Sequence, residues 1–340
     1  MSKWLLVETF GDTPPSVLGL GNAPKKMVPL RTILGRGHSL EAVERAIVKA
    51  TTTRTRVELG SSRQRRVIAE PLVSFTGRVH GAYIWAGAAD QTPPLHDPAG
   101  AWHFNLTTDV IGGSDDLLDL YGVAPELRRH QRHTAEAFTR LIPNTDVAAA
   151  LAKIVRSQPG EEHQAIWTVL RDDGQQRAAH FSTRAIAEQN DHGETEVVLR
   201  GITHDIGPAE DTPAAAPPIV LEQRLLDSMA EPGHYRAIVN LNTLHIIRWL
   251  DHPMPGLGWE MDEQNPLPWI HDDDLPAAQA LAAGLATAPK TSGTLRFRGD
   301  NGQWQPTSVT ANLVLLDQHT TAALLTMSAN GRLDIIPNQT

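Results

Sequence analysis

This chain of 340 residues contains no cysteine. That removes disulfides, thiolate metal sites, thiol nucleophiles and every cofactor tethered through sulfur. No apolar run approaches the roughly 18 residues of a membrane span. The N-terminal run Trp4-Leu5-Leu6-Val7 is too short for a signal peptide, so the expected compartment is the cytoplasm. Aromatic residues make up 5 % of the chain. None of them interleaves the single basic run, Arg54, Arg56, Arg63, Arg65 and Arg66, which therefore lacks a stacking platform for bases. There is no kinase glycine loop, Walker loop, nucleophile elbow or helix-turn-helix.

What is present suits folded domains: 41 % hydrophobic and 20 % charged residues. The net charge of −9 is uneven. Residues 1–97 carry 13 basic and 8 acidic groups, 98–206 carry 10 and 16, and 207–340 carry 7 and 15. The two acidic portions repel nucleic acid. Proline-rich stretches at Gln91–Pro98 and Gly207–Pro218 mark boundaries. The domains expected are 1–97, 99–206 and 219–335, with 207–218 as a linker.

The last two share a repeat. Ile142-Pro143-Asn144-Thr145-Asp146-Val147 aligns with Ile270-His271-Asp272-Asp273-Asp274-Leu275, and Asp173-Gly174 with Asn301-Gly302. Both landmarks give one offset (274 − 146 and 302 − 174, each 128). A common register across a helix and a hairpin implies two copies of one domain type.

In the first domain, Leu40, Val43, Ile47 and Ala50 have helical spacing, with Ser39 as the expected cap and Glu41–Arg45 as an i,i+4 pair. Strands are expected at 66–69 and 79–85. In the second, Ser114 caps a helix opened by Asp115 and Asp116; helices follow at Ala135–Leu141 and from Asp146, then strands at 164–171, 177–187 and 196–206. The third is expected to open with a helix at Leu221–Met229. Strands follow at 235–240 and 244–249, a helix capped by Asp274, and strands at 293–298, 307–316 and 322–327.

The middle domain resembles a PAS domain. The residues that carry this are Trp102, the run Ser114-Asp115-Asp116-Leu117-Leu118-Asp119-Leu120-Tyr121-Gly122, Phe138 through Asp146, Arg171-Asp172-Asp173-Gly174, and Leu199 through Ile206. Pro143-Asn144-Thr145-Asp146 stands where the family often has His-Pro-x-Asp, with the cap aspartate kept. Trp269–Leu275 and Arg296–Trp304 make the third domain a weaker relative. The first is compatible with a GAF-like sandwich. The whole is similar to mycobacterial proteins built from three sensor domains of PAS and GAF type. The fold class implied is α+β: three tandem sensor-type domains, each an antiparallel sheet with a helical layer.

That resemblance implies signal transduction without an attached output domain. The expected protein is non-enzymatic. It senses a small molecule or a partner and acts by contact with a separate signalling protein. The residues name no cofactor and no oligomeric state. Tyr121, Phe138, Trp167 and Phe181 are the candidate pocket lining, and as core packing they need no ligand. His130 and His133 lie in a polar run that reads as a solvated face rather than a haem site. Two rival readings remain: a constitutive scaffold that holds no ligand, and a metal-dependent hydrolase using Asp272–Asp274, a cluster that a helix dipole also favours.

Overall fold

A computed structural model describes residues 3–61, 65–190, 192–213, 228, 230–261 and 269–329. The helix expected at Leu221–Met229 lies, but for Ser228, outside the described residues. Three antiparallel sheets with helices give an α+β fold.

The first sheet comprises β1 (Leu5–Glu8), β2 (Ser16–Leu20), β3 (Ala23–Pro29), β4 (Val57–Ser61), β5 (Arg65–Val73) and β6 (Val79–Ala88), in the order β3-β2-β1-β6-β5-β4. Between β3 and β4 come α1 (Leu30–Leu34) and α2 (His38–Thr53). Helix α2 buries Ala42, Val43, Ala46, Ile47 and Ala50 against Leu5, Val7, Ala69 and Ile84. It starts after Gly37 rather than Ser39, and Glu41 meets His38 at 3.4 Å instead of Arg45.

Next come β7 (Ala99–Asn105), β8 (Val110–Gly113) and α3 (Asp115–Leu120). Ser114 caps α3, its hydroxyl accepting the N–H of Leu117. The chain continues through β9 (Gln131–His133), α4 (Thr134–Phe138), β10 (Leu141–Ile142), α5 (Val147–Val155), β11 (Glu162–Leu170), β12 (Gln176–Gln189) and β13 (Thr195–Pro208). Helix α4 ends at Phe138, short of the expected Leu141, because Leu141 pairs with Val169 on the sheet.

The third sheet contains β14 (Tyr235–Val239), β15 (Ile246–Trp249), β16 (Lys290–Arg298), β17 (Trp304–Leu315) and β18 (Thr321–Ala329), with α6 (Leu275–Gly284) before β16. The repeat is topological. The strand order β11-β12-β13-β7-β8 in the second sheet matches β16-β17-β18-β14-β15 in the third. The 128-residue offset carries β11 onto β16 at both ends (162 to 290, 170 to 298) and the start of β12 onto that of β17 (176 to 304).

The chain forms two compact units that do not follow these sheets in series. One holds Met1–His130, Arg140–Asn144 and Ser157–Pro217; the other holds Gln131–Thr139, Thr145–Arg156 and Pro218–Thr340. Helices α4 and α5, from the middle of the sequence, thus belong with the third sheet. Helix α4 packs on β15 and α5 on β18.

Inside the first unit the first two sheets share a core. Trp4, Leu6, Phe10, Leu18, Tyr83 and Trp85 meet Ala101 and Ile202. Strand β1 is buried on both faces, Leu5 and Val7 toward α2 and Leu6 toward the second sheet. The approach is close at Gly81, where a Cβ would lie 2.3 Å from the Val7 carbonyl oxygen and 2.6 Å from Ile202 Cδ1. Gly81→Ala is therefore expected to cost about 1–3 kcal/mol, seen as a lower urea midpoint with an unchanged m-value.

Candidate functional site

Three features are candidates. The first is an apolar cavity of about 50 Å³ in the third domain. Its walls include Val239, Trp269, Ala278, Leu281, Phe297 and Val309. Among the described residues no wall residue carries a charge. Strands β14, β16, β17 and β18 supply one side because their inward positions alternate, as Val309 and Ala311 do on β17. Helix α6 supplies the other and buries few side chains, chiefly Ala278, with Leu285 just beyond its end. The helix is alanine-rich, so its cover is thin. The cavity accommodates a group of a few heavy atoms; an apolar cavity that binds benzene measures about 150 Å³.

The second feature is the polar seam inside the first unit. Arg184 on β12 reaches Glu8 (Nη2 to Oε1, 3.1 Å) and Glu162 (2.8 Å). Glu8 is 1 % exposed and also accepts the Phe10 N–H (2.8 Å) and the Ser16 hydroxyl (2.7 Å). Nearby, a cleft of about 360 Å³ is lined by Asp12, Arg78, Glu188 and Arg200, among others. Arg200 is committed there, to Glu188 and to the Phe10 carbonyl, each at 2.6 Å. Arg184→Met should leave Glu8 buried without its cation and cost about 3–5 kcal/mol. The double variant Glu8→Gln/Arg184→Met should recover much of that loss in chemical denaturation.

The third feature is a set of buried histidines in the same unit. His180 and His204 face each other across the β12–β13 ladder. Among the described residues neither ring nitrogen of His204 has a hydrogen-bond partner, nor has Nδ1 of His180. A Cβ at Gly19 would lie 3.0 Å from His204 Cε1, so the backbone of β2 rests on the imidazole. His80 donates from Nδ1 to the Gly201 carbonyl at 3.2 Å. Burial pushes His80 and His204 down to about 3 and His180 down to about 4.

Of the four aromatic residues expected to line a pocket, Tyr121, Trp167 and Phe181 lie in the first unit and Phe138 in the second. Trp167 is buried on β11, and half-buried Phe181 lies diagonal to it on the same face of β12. Tyr121 follows α3 and receives the Arg140 guanidinium at 5.8 Å from its ring. Phe138 is in the other unit, at the end of α4, with Arg248 at 5.6 Å from its ring.

Of the acidic cluster, Asp274 is clamped by Arg296 through Nε (3.0 Å), Nη2 (2.7 Å) and the backbone N–H (2.7 Å). Those hydrogen bonds hold its carboxyl down to about 2. Among the described residues no three His, Asp or Glu side chains are grouped to hold a metal. In the basic run, Arg66 pairs with Glu58 at 2.8 Å and Arg56 with Glu70 at 3.3 Å. No helix among the described residues is long and apolar enough to cross a membrane.

Residues 3–95 match a family described as Rv3651-like, N-terminal; residues 98–205 match its middle domain and 219–336 its C-terminal domain. The chain is similar to a crystal structure of a protein from Mycobacterium tuberculosis at 29 % identity and a TM-score of 0.83, over 97 % of each chain. Matches at lower similarity include a sensory box histidine kinase/response regulator from Burkholderia thailandensis (19 % identity, 39 % of this chain and 86 % of that one, TM-score 0.23). The N-terminal domain of a diguanylate cyclase with a PAS/PAC sensor, from Marinobacter aquaeolei, matches at 23 % identity (32 % of this chain and 95 % of that one, TM-score 0.25). No curated protein matches the sequence.

Proposed function

Because this chain belongs to the Rv3651-like family of three-domain mycobacterial proteins, we propose that it is a non-enzymatic sensor-adaptor whose third domain takes a small apolar ligand. The observation that supports this reading is the cavity under α6, whose wall is built from apolar side chains. A ligand larger than the cavity displaces α6, the least buried part of its wall. The output passes to a separate protein. The PAS-like strand order shared by the second and third sheets favours that arrangement.

The link to the rest of the chain is covalent. The backbone passes between the two units five times, at 130/131, 139/140, 144/145, 156/157 and 217/218. Four of these crossings flank α4 and α5. Movement in the third domain thus pulls on four junctions as well as on the linker. A deletion of Thr212–Pro217 removes only part of this coupling.

The test is native mass spectrometry of the full chain purified gently from its own cells. The expected result is an adduct on the wild type that Ala278→Leu, which fills the cavity, abolishes. A wild type that is bare, or an adduct that Ala278→Leu retains, sinks the proposal. A bare chain with a co-purifying protein would instead favour the scaffold reading.

A further inference from the structure

Arg248 is the third residue of β15, in the run Ile246-Ile247-Arg248-Trp249, which is buried at every position. It is 7 % exposed and pairs across the ladder with Ile238. Its guanidinium lies 5.6 Å from the centre of the Phe138 ring on α4. Nη1 has no hydrogen-bond partner among the described residues. Among the described residues no ion pair compensates the charge, and burial lowers its pKa from the usual guanidinium value.

The carboxylates on the flanking elements are spent elsewhere. Glu136 Oε1 accepts the N–H of His133 (2.9 Å) and of Met261 (2.8 Å). Asp251 is clamped by Arg236 at 2.9 and 2.7 Å. The rings of His133 and His245, stacked 5.6 Å apart, bring no negative charge. A buried cation is costly unless it is paired and hydrogen-bonded, and one aromatic face is a weak substitute for lost hydration.

We propose that Arg248 anchors a binding site in the third domain for a small monocarboxylate, seated against the Phe138 ring. The guanidinium fork matches a carboxylate in geometry. One buried positive charge balances one negative charge, so a divalent phosphate or sulfate leaves an uncompensated charge in an apolar setting. Arg248 does not line the apolar cavity. The two sites stand or fall separately.

The experiment is thermal unfolding of the full chain in a sulfate background at fixed ionic strength, titrated with acetate, propionate or benzoate. The expected result is a saturable rise in Tm for the wild type. It is absent in Arg248→Met, and it shifts to roughly tenfold higher concentration in Arg248→Lys, which keeps the charge without the fork. The lysine variant decides the matter if the methionine variant fails to fold. Three results overturn the proposal: no saturable rise in the wild type, the same rise in the Arg248 variants, or an equal rise with chloride. The last would mean a hole for any small anion rather than a carboxylate site.

Discussion

On acidification this protein should lose stability steeply below about pH 6, through its buried histidines. The sign follows from their depressed values. Unfolded, each imidazole titrates near 6.5; folded, His80 and His204 do so at about 3 and His180 at about 4. Above about pH 6.5 both states are neutral and the contribution to stability is complete. As the pH falls from there toward the folded values, the unfolded chain binds up to three protons that the folded one does not. Each proton contributes about 1.4 kcal/mol per pH unit, so the slope approaches about 4 kcal/mol per unit. Against a typical total of about 5–15 kcal/mol, the first unit should unfold near pH 4–5. His96 works the other way, since against a loss from burial its hydrogen bond to Glu70 raises its pKa, but it is one group against those three and His103, which burial also lowers. Urea unfolding across a pH series should show this slope, and His204→Leu should flatten it by about one proton. An unchanged slope in that variant would falsify the assignment.

A fragment spanning 219–336, the extent of the C-terminal family domain, should fail to fold cooperatively. Its sheet would lack α4 and α5. Ala135 of α4 lies in one core with Ala237, Trp249 and Leu325. The Glu136 carboxylate accepts the Met261 N–H, and the Arg156 guanidinium reaches the His319 carbonyl at 3.4 Å. Without these helices β15 and β18 lose those contacts, and the buried Arg248 loses the Phe138 ring. Dye binding to exposed apolar surface and a broad, non-cooperative melt are expected. Joining residues 131–156 to the fragment through a flexible linker should restore a sharp transition. A sharp melt from the bare fragment would show the helices to be dispensable.

Much of this fold was legible in the chain, and the reasons are local. Asp173-Gly174 and Asn301-Gly302 fix hairpins, so the repeat placed β11, β12, β16 and β17 within a few residues. Ser114 and the two following aspartates specify the start of α3 by capping and dipole alone. Periodicity was less use on β1 and β6, because burial on both faces erases alternation and leaves an unbroken apolar run. The allegiance of α4 and α5 was invisible. A helix carries the same apolar stripe whichever sheet it covers, so nothing in the sequence around Phe138 shows that its ring meets Arg248 of β15. His204 read as the end of a strand, and nothing beside it shows that another sheet lies on top. Arg248 did leave a trace: a lone cation inside Ile-Ile-Arg-Trp-Leu, where charge is least expected.

The borrowed helices also set a timetable. On the ribosome α5 is complete at Val155, whereas β18, the strand it packs on, ends at Ala329, 174 residues later (329 − 155). At about 5–20 residues per second, α5 waits roughly 10–35 s for the strand that covers it. During that interval the segment around Phe138 and Leu151 is a ready client for chaperones. Slower translation downstream of residue 208 lengthens the exposure, so synonymous codon choice there bears directly on the yield of folded protein.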